Sequence, residues 1–194
     1  MDLQHLNIKV FAASPAPIDL EPFIGIFHTW IQRQLTGDLL IDVADYRHVV
    51  NGPGVIAIGH AANFSLDQTD GRVGLLYNRK AALDGSPDQR LSESVRAALL
   101  ACQRLEQEND LQFNGSEIHL TFNDRLLAPT TPKTLDAMRP ALRDFFDRLY
   151  APGVYTLDRI SGDPRERLTI GVKSAAPLTV TTLLHNLAAE RMPV

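Results

Sequence analysis

Asp38–Lys80 reads DLLIDVADYRHVVNGPGVIAIGHAANFSLDQTDGRVGLLYNRK. Leu39–Ala44 (LLIDVA), Gly54–Phe64 (GVIAIGHAANF) and Val73–Lys80 (VGLLYNRK) have the composition of strands. Asn51-Gly52-Pro53-Gly54 and Asp70-Gly71 supply turn chemistry between them. Three strands in succession, joined by short connections, predict an antiparallel meander and not a crossover sheet.

Upstream, Asn7–Ala13 (NIKVFAA) reads as a strand closed by the proline-punctuated turn SPAP. Asp19 then introduces a helix with Glu21 and Pro22 in its first turn. Phe23, Phe27, Trp30 and Ile31 recur at helical spacing until about Gly37, and Trp30 belongs to the apolar stripe. His28 flanks that stripe.

Downstream, Ser86-Pro87-Asp88-Gln89 is a helix start with a capping box, and the helix runs to about Asn109. A polar turn is expected at Asn114-Gly115. Glu117–Asn123 (EIHLTFN) alternates with period 2, which puts His119 opposite Ile118, Leu120 and Phe122. Thr131-Pro132 opens a further helix, which Pro140 is expected to kink or delay. Gly153–Ile160 and Leu168–Lys173 form a strand pair around the charged turn SGDPRER, and Thr179–Arg191 closes the chain as a helix.

These elements predict an α+β fold: an antiparallel sheet with helices packed on one face, in a single compact domain spanning 1–194. With one hairpin strand set aside, the halves 1–112 and 113–194 share the order β-α-β-β-α. That order, and the match of VIAIGHAA (55–62) to RLTIGVKSAA (167–176), admits a tandem ferredoxin-like duplication.

Composition bounds the function. With 194 residues, 44% hydrophobic and 22% charged, the chain buries roughly 70% of its unfolded surface and needs no metal or disulfide to be stable. The lone Cys102 forms no intrachain disulfide, and its setting AALLACQRL is that of a buried thiol. A formal charge of −4 argues against generic nucleic-acid binding. No apolar run approaches the ~20 residues that span a bilayer, and the N-terminus lacks the pattern of a signal peptide. No membrane partner and a cytoplasmic location are therefore expected.

Chemistry-bearing residues concentrate in the opening stretch. Asp42, Asp45, Tyr46, Arg47 and His48 gather at a predicted strand end, where partial burial can tune acids and bases. His60 follows Gly59 and is flanked by Ala61 and Ala62, which leaves room around its ring. Asn63, Tyr77 and Arg79 are further candidates for a ligand, and Tyr77–Lys80 is expected at the same sheet end as Asp45–His48. No nucleotide, zinc or calcium motif is present, and no motif names a cofactor.

The leading expectation is a non-catalytic ligand-binding or protein-interaction module, taking a small molecule or a second copy of itself. The first alternative is a small-molecule enzyme with His60 as acid/base, supported by Asp42, Asp45, Tyr46 or His48. The second is a metal- or haem-type protein ligated through His60 or His48.

Overall fold

The computed structural model describes residues 4–189. In chain order its elements are β1 (Leu6–Ala12), α1 (Glu21–Arg33), β2 (Leu40–Tyr46), β3 (Gly54–Gly59), β4 (Ala62–Asp67), β5 (Gly74–Arg79) and α2 (Pro87–Glu108). There follow β6 (Phe113–Phe122), α3 (Pro132–Tyr150), β7 (Tyr155–Arg159), β8 (Thr169–Ser174) and α4 (Val180–Ala189). Arg191 of the expected last helix lies outside the described residues.

All eight strands form one antiparallel sheet in the order β2-β3-β4-β5-β1-β6-β8-β7. Strand alternation gives it two unlike faces. Ile8, Val10, Ile118 and Leu120 are fully buried in one apolar core with Phe27, Trp30, Leu99 and Phe145 of the helices. α1 lies on β2 and β3, α2 on β1 and β5, α4 on β6 and α3 on β7. Among the described residues no helix is long and apolar enough to cross a membrane.

The helix starts follow the local chemistry. Ser86 accepts from the Gln89 amide while Gln89 accepts from the Ser86 amide, the reciprocal pair of a capping box. Thr131 caps α3 on the Thr134 amide, and α3 passes through Pro140 without interruption. Trp30 is fully buried and donates its indole N–H to Glu108 at 2.7 Å, tying α1 to the end of α2. Cys102 is buried as expected, and burial raises its thiol pKa well above the ordinary value.

The meander differs from its expected form. Gly54–Phe64 is not one strand: β3 ends at Gly59, and β4 returns from Ala62 through a tight turn at His60-Ala61. A Cβ on Gly59 would lie 2.3 Å from the Ala62 carbonyl oxygen, so glycine marks the hairpin corner here and not a mid-strand bulge. The Ala61 carbonyl accepts from both Lys80 and Ala81 amides, which fixes the corner to the end of β5.

The ferredoxin-like expectation is too small. Four strands lie between α1 and α2 and two between α3 and α4, so removing one strand does not equate the halves. Asn114-Gly115 lies inside β6 and not in a turn before it. A Cβ on Gly115 would meet the Leu178 carbonyl at 2.6 Å, so glycine there lets the start of α4 approach the strand.

Candidate functional site

The face turned away from the helices is polar over the central strands. Ladder partners put Asn63, Asn78, Asn7, Thr121 and Thr169 in one row across β4, β5, β1, β6 and β8. The next row is Ser65, Leu76, Lys9, His119 and Gly171, and a third begins Asp67, Gly74, Phe11. Asn7, Lys9, Ser65 and Asp67 are 4%, 8%, 5% and 3% exposed. A cavity of about 590 Å³ stands over this floor, closed laterally by the Thr69–Asp70 turn and by the connections that carry Arg125 and Ile160–Arg167.

Lys9 Nζ donates to Asp67 Oδ2 at 2.5 Å and to the Thr69 carbonyl at 3.2 Å. Asp67 also accepts from the Thr69 amide at 3.2 Å and hydroxyl at 2.7 Å. The pair is thus internally neutralised and hydrogen-bonded, the condition under which two buried charges are tolerated.

Beside it, the Arg72 guanidinium lies 3.7 Å from the Phe11 ring centre and donates to both Glu117 oxygens, at 2.8 and 3.0 Å. The His119 ring meets Phe11 edge-on with centroids 4.6 Å apart, and its Nε2 lies 3.5 Å from Glu117. Arg72 holds the Glu117 carboxyl below its usual pKa, chiefly through those hydrogen bonds. Burial lowers the His119 pKa, and the Arg72 and Lys9 charges push the same way against the opposing pull of Glu117. His119 is therefore a neutral ring at pH 7, able both to donate and to accept. Opposite it, Gly171 leaves room for Ile160 to lean over the sheet, since a Cβ there would lie 2.5 Å from Ile160 Cδ1.

At the rim, Arg167 donates to Asn123 Oδ1 at 2.6 Å, and Asn123 Nδ2 donates to Asn7 Oδ1 at 2.7 Å. Because a guanidinium can only donate, Asn123 must turn its oxygen towards Arg167, which fixes the chain's direction. Arg125 donates to the Arg165 carbonyl at 2.7 Å, and Thr130 to the Glu166 carbonyl at 2.7 Å, joining the two connections that form the wall.

The residues singled out from sequence lie outside the lining of this cavity. His60 is exposed in the β3–β4 corner. Asp45, Tyr46, Arg47 and His48 lie at the far end of β3, where Tyr46 pairs with Gly54, about 17 Å away along the strand. There Arg47 grips Asp45 at 2.9 and 3.0 Å and reaches Glu21 at 3.2 Å, while Tyr46 and His48 stack with centroids 6.3 Å apart. Those Arg47 hydrogen bonds hold the Asp45 pKa down. Asp42 sits between the two groups, exposed, with Oδ1 accepting from the Val43 amide.

Tyr77–Lys80 arrives at the His60 end, not with Asp45–His48: Lys80 donates to the Gly59 carbonyl. Tyr77 and Arg79 face the helix side, in a separate slot of about 310 Å³ with Asp38. Arg79 lies 3.3 Å from Asp38 and 3.5 Å from the Tyr77 hydroxyl, and burial raises the Asp38 pKa against the lowering effect of Arg79. Of the sequence candidates Asn63 and Asp42 belong to the first row, which runs on from Asn63 through Ile58 to Asp42; Asn63 accepts from the Gly59 amide at 3.2 Å, and neither residue lines the cavity. Among the described residues no three His, Cys, Asp or Glu side chains come together as a metal-binding group.

Sequence reasoning passed over Asn7, Lys9 and Thr121. The available signal was alternation: NIKVF and IHLTF both place polar residues between core residues of a strand. No protein-family model, curated protein or solved structure matches the chain.

Proposed function

We propose that this chain is a non-catalytic binding module that holds a small polar molecule on the open face of its sheet, over β1 and β6. The observation that carries the reading is the shielding of polar and charged side chains on a face that no described helix covers. A solvated sheet face leaves such residues open to water, and a face covered by another protein layer is apolar. Here Asn7, Lys9 and Asp67 are buried beneath an open cavity. A volume of about 590 Å³ suits a small ligand, whose sites span roughly 300–1,000 Å³. A buried ion pair adds little net stability, so a polar ligand is a better reason for Lys9 and Asp67 on this face than the fold is.

The test is a thermal-shift screen of the full chain against polar metabolites, followed by NMR mapping of each hit. Saturable binding that perturbs Asn7, Thr121 and Thr169 is expected. Thr121→Val and His119→Gln should each weaken it about tenfold or more, the loss of a buried hydrogen bond, with the circular dichroism spectrum unchanged. Hits that map to the Asp38–Arg79 slot, or that neither substitution affects, would remove the reading.

A further inference from the structure

We infer that the molecule held on this face carries an acidic group, a phosphate or a carboxylate, bound between Arg125 and Arg167 above Asn7, Thr121 and Thr169. The inference rests on the open-face reading and adds the ligand's chemical class and orientation.

Charge is distributed unevenly along the cavity. β6 ends beside Thr121 just before Arg125, and β8 begins at Thr169 just after Arg165 and Arg167. All three arginines therefore stand at the end of the floor marked by the Asn–Thr row. The Asp70 turn joins β4 to β5 after Asp67, at the opposite end. Four residues of strand separate the first and third rows, about 13 Å. Lys9, between them, is already neutralised by Asp67.

The arginines also differ in how they are held. Arg47, Arg72 and Arg79 each lie against a carboxylate, and Arg165 is paired with Asp163 at 2.7 Å. Arg125 and Arg167 are tethered by neutral acceptors, a backbone carbonyl and the Asn123 amide oxygen. Among the described residues neither has a carboxylate partner within 4 Å. Each hydrogen-bonded tether engages only Nη1, so the Nη2 edge of both guanidinium groups is left to meet an anion, which a planar fork binds through paired hydrogen bonds. The Asn7–Asn123–Arg167 chain fixes one of these cations to the buried floor, so little order has to be gained on binding. Glu166 is the one acidic residue of the lining at this end, against three arginines, of which Arg165 is paired with Asp163. The Thr121 and Thr169 hydroxyls, 2.9 Å apart, supply a further donor beneath the anion.

The experiment titrates the full chain, followed by NMR, with inorganic pyrophosphate, with citrate and with the neutral sugar trehalose. The variants are Arg125→Gln/Arg167→Gln and, as a control remote from the cavity, Arg47→Gln. Saturable shifts at Thr121, Thr169 and Arg167 with pyrophosphate or citrate are expected, the stronger of the two naming phosphate or carboxylate. The double variant should lose about tenfold or more in affinity, since hydrogen bonds to charged groups are the strong class, and Arg47→Gln should bind as the wild type does. Equal binding by the double variant, or shifts centred on Arg47, overturns the inference. Binding of trehalose or a screened neutral hit at Asn7 and Thr121, indifferent to the arginines, overturns it and leaves the open-face reading standing. No perturbation of the floor by any charged or neutral compound overturns both.

Discussion

His119 shows how one residue can belong to a site through its environment. Burial lowers its pKa below the ordinary 6.5, so the unfolded chain takes up the proton more readily than the folded one. Its contribution to stability is complete above about pH 6.5 and is lost as pH falls towards the folded value. Glu117 is also depressed, from 4.5, so its contribution runs the same way but is lost only at lower pH. Between pH 7.5 and 5.5, therefore, the urea midpoint of the wild type should fall more than that of His119→Gln. Equal slopes for the two would show that the ring is not desolvated. His60, more conspicuous in sequence, is exposed and lacks this setting. Small neighbours such as Ala61 and Ala62 can surround a pocket residue, but they equally suit a hairpin corner, and one-dimensional text does not separate the two.

At the scale of elements, the legible features were those set by local chemistry. Caps at Ser86 and Thr131 act within four residues, and helix stripes repeat within two turns. The β3–β4 corner was not legible. Its apolar flanks VIAI and ANF are continuous across Gly59, because the strands on both sides bury residues, and no Asn-Gly or Asp-Gly pair marks the turn. SGDPRER reads as a solvated turn, and only the fold makes this β7–β8 connection a cavity wall. Pro140 is a second case in which the fold overrides local preference. It is exposed inside α3, with no amide to donate to the preceding turn. Pro140→Ala should stabilise the chain by about 1–3 kcal/mol, the usual penalty of an interior helix proline less what the structure has already accommodated. A denaturant midpoint that does not rise would mean that the helix requires its proline geometry.

Over the whole molecule, one sheet runs through both halves. β1 and β6 are neighbours inside it and come from opposite halves. α2 of the first half packs against α4 of the second. We therefore expect the fragment 1–112, expressed alone, to lack cooperative thermal unfolding, because Ile8 and Val10 lose the strand that completes their layer. A sharp transition for that fragment would establish an autonomous half. The outer edge at β2 is exposed through Leu39 and Ile41 but also bears Asp42, Asp45 and a register shift, features that discourage strand-to-strand association. The α+β class and one-sided helix packing were legible because alternation along each strand is a local signal. The candidate site was not, because it draws on five strands and three connections that only the sheet order brings side by side.

Along β1, floor and core residues alternate: Asn7 and Lys9 line the cavity, while Ile8 and Val10 are fully buried on the helix side. Heritable change at the floor positions thus leaves the helix-facing layer as it is. If the open face binds as proposed, a lineage built on this scaffold can exchange what it recognises while inheriting the same interior.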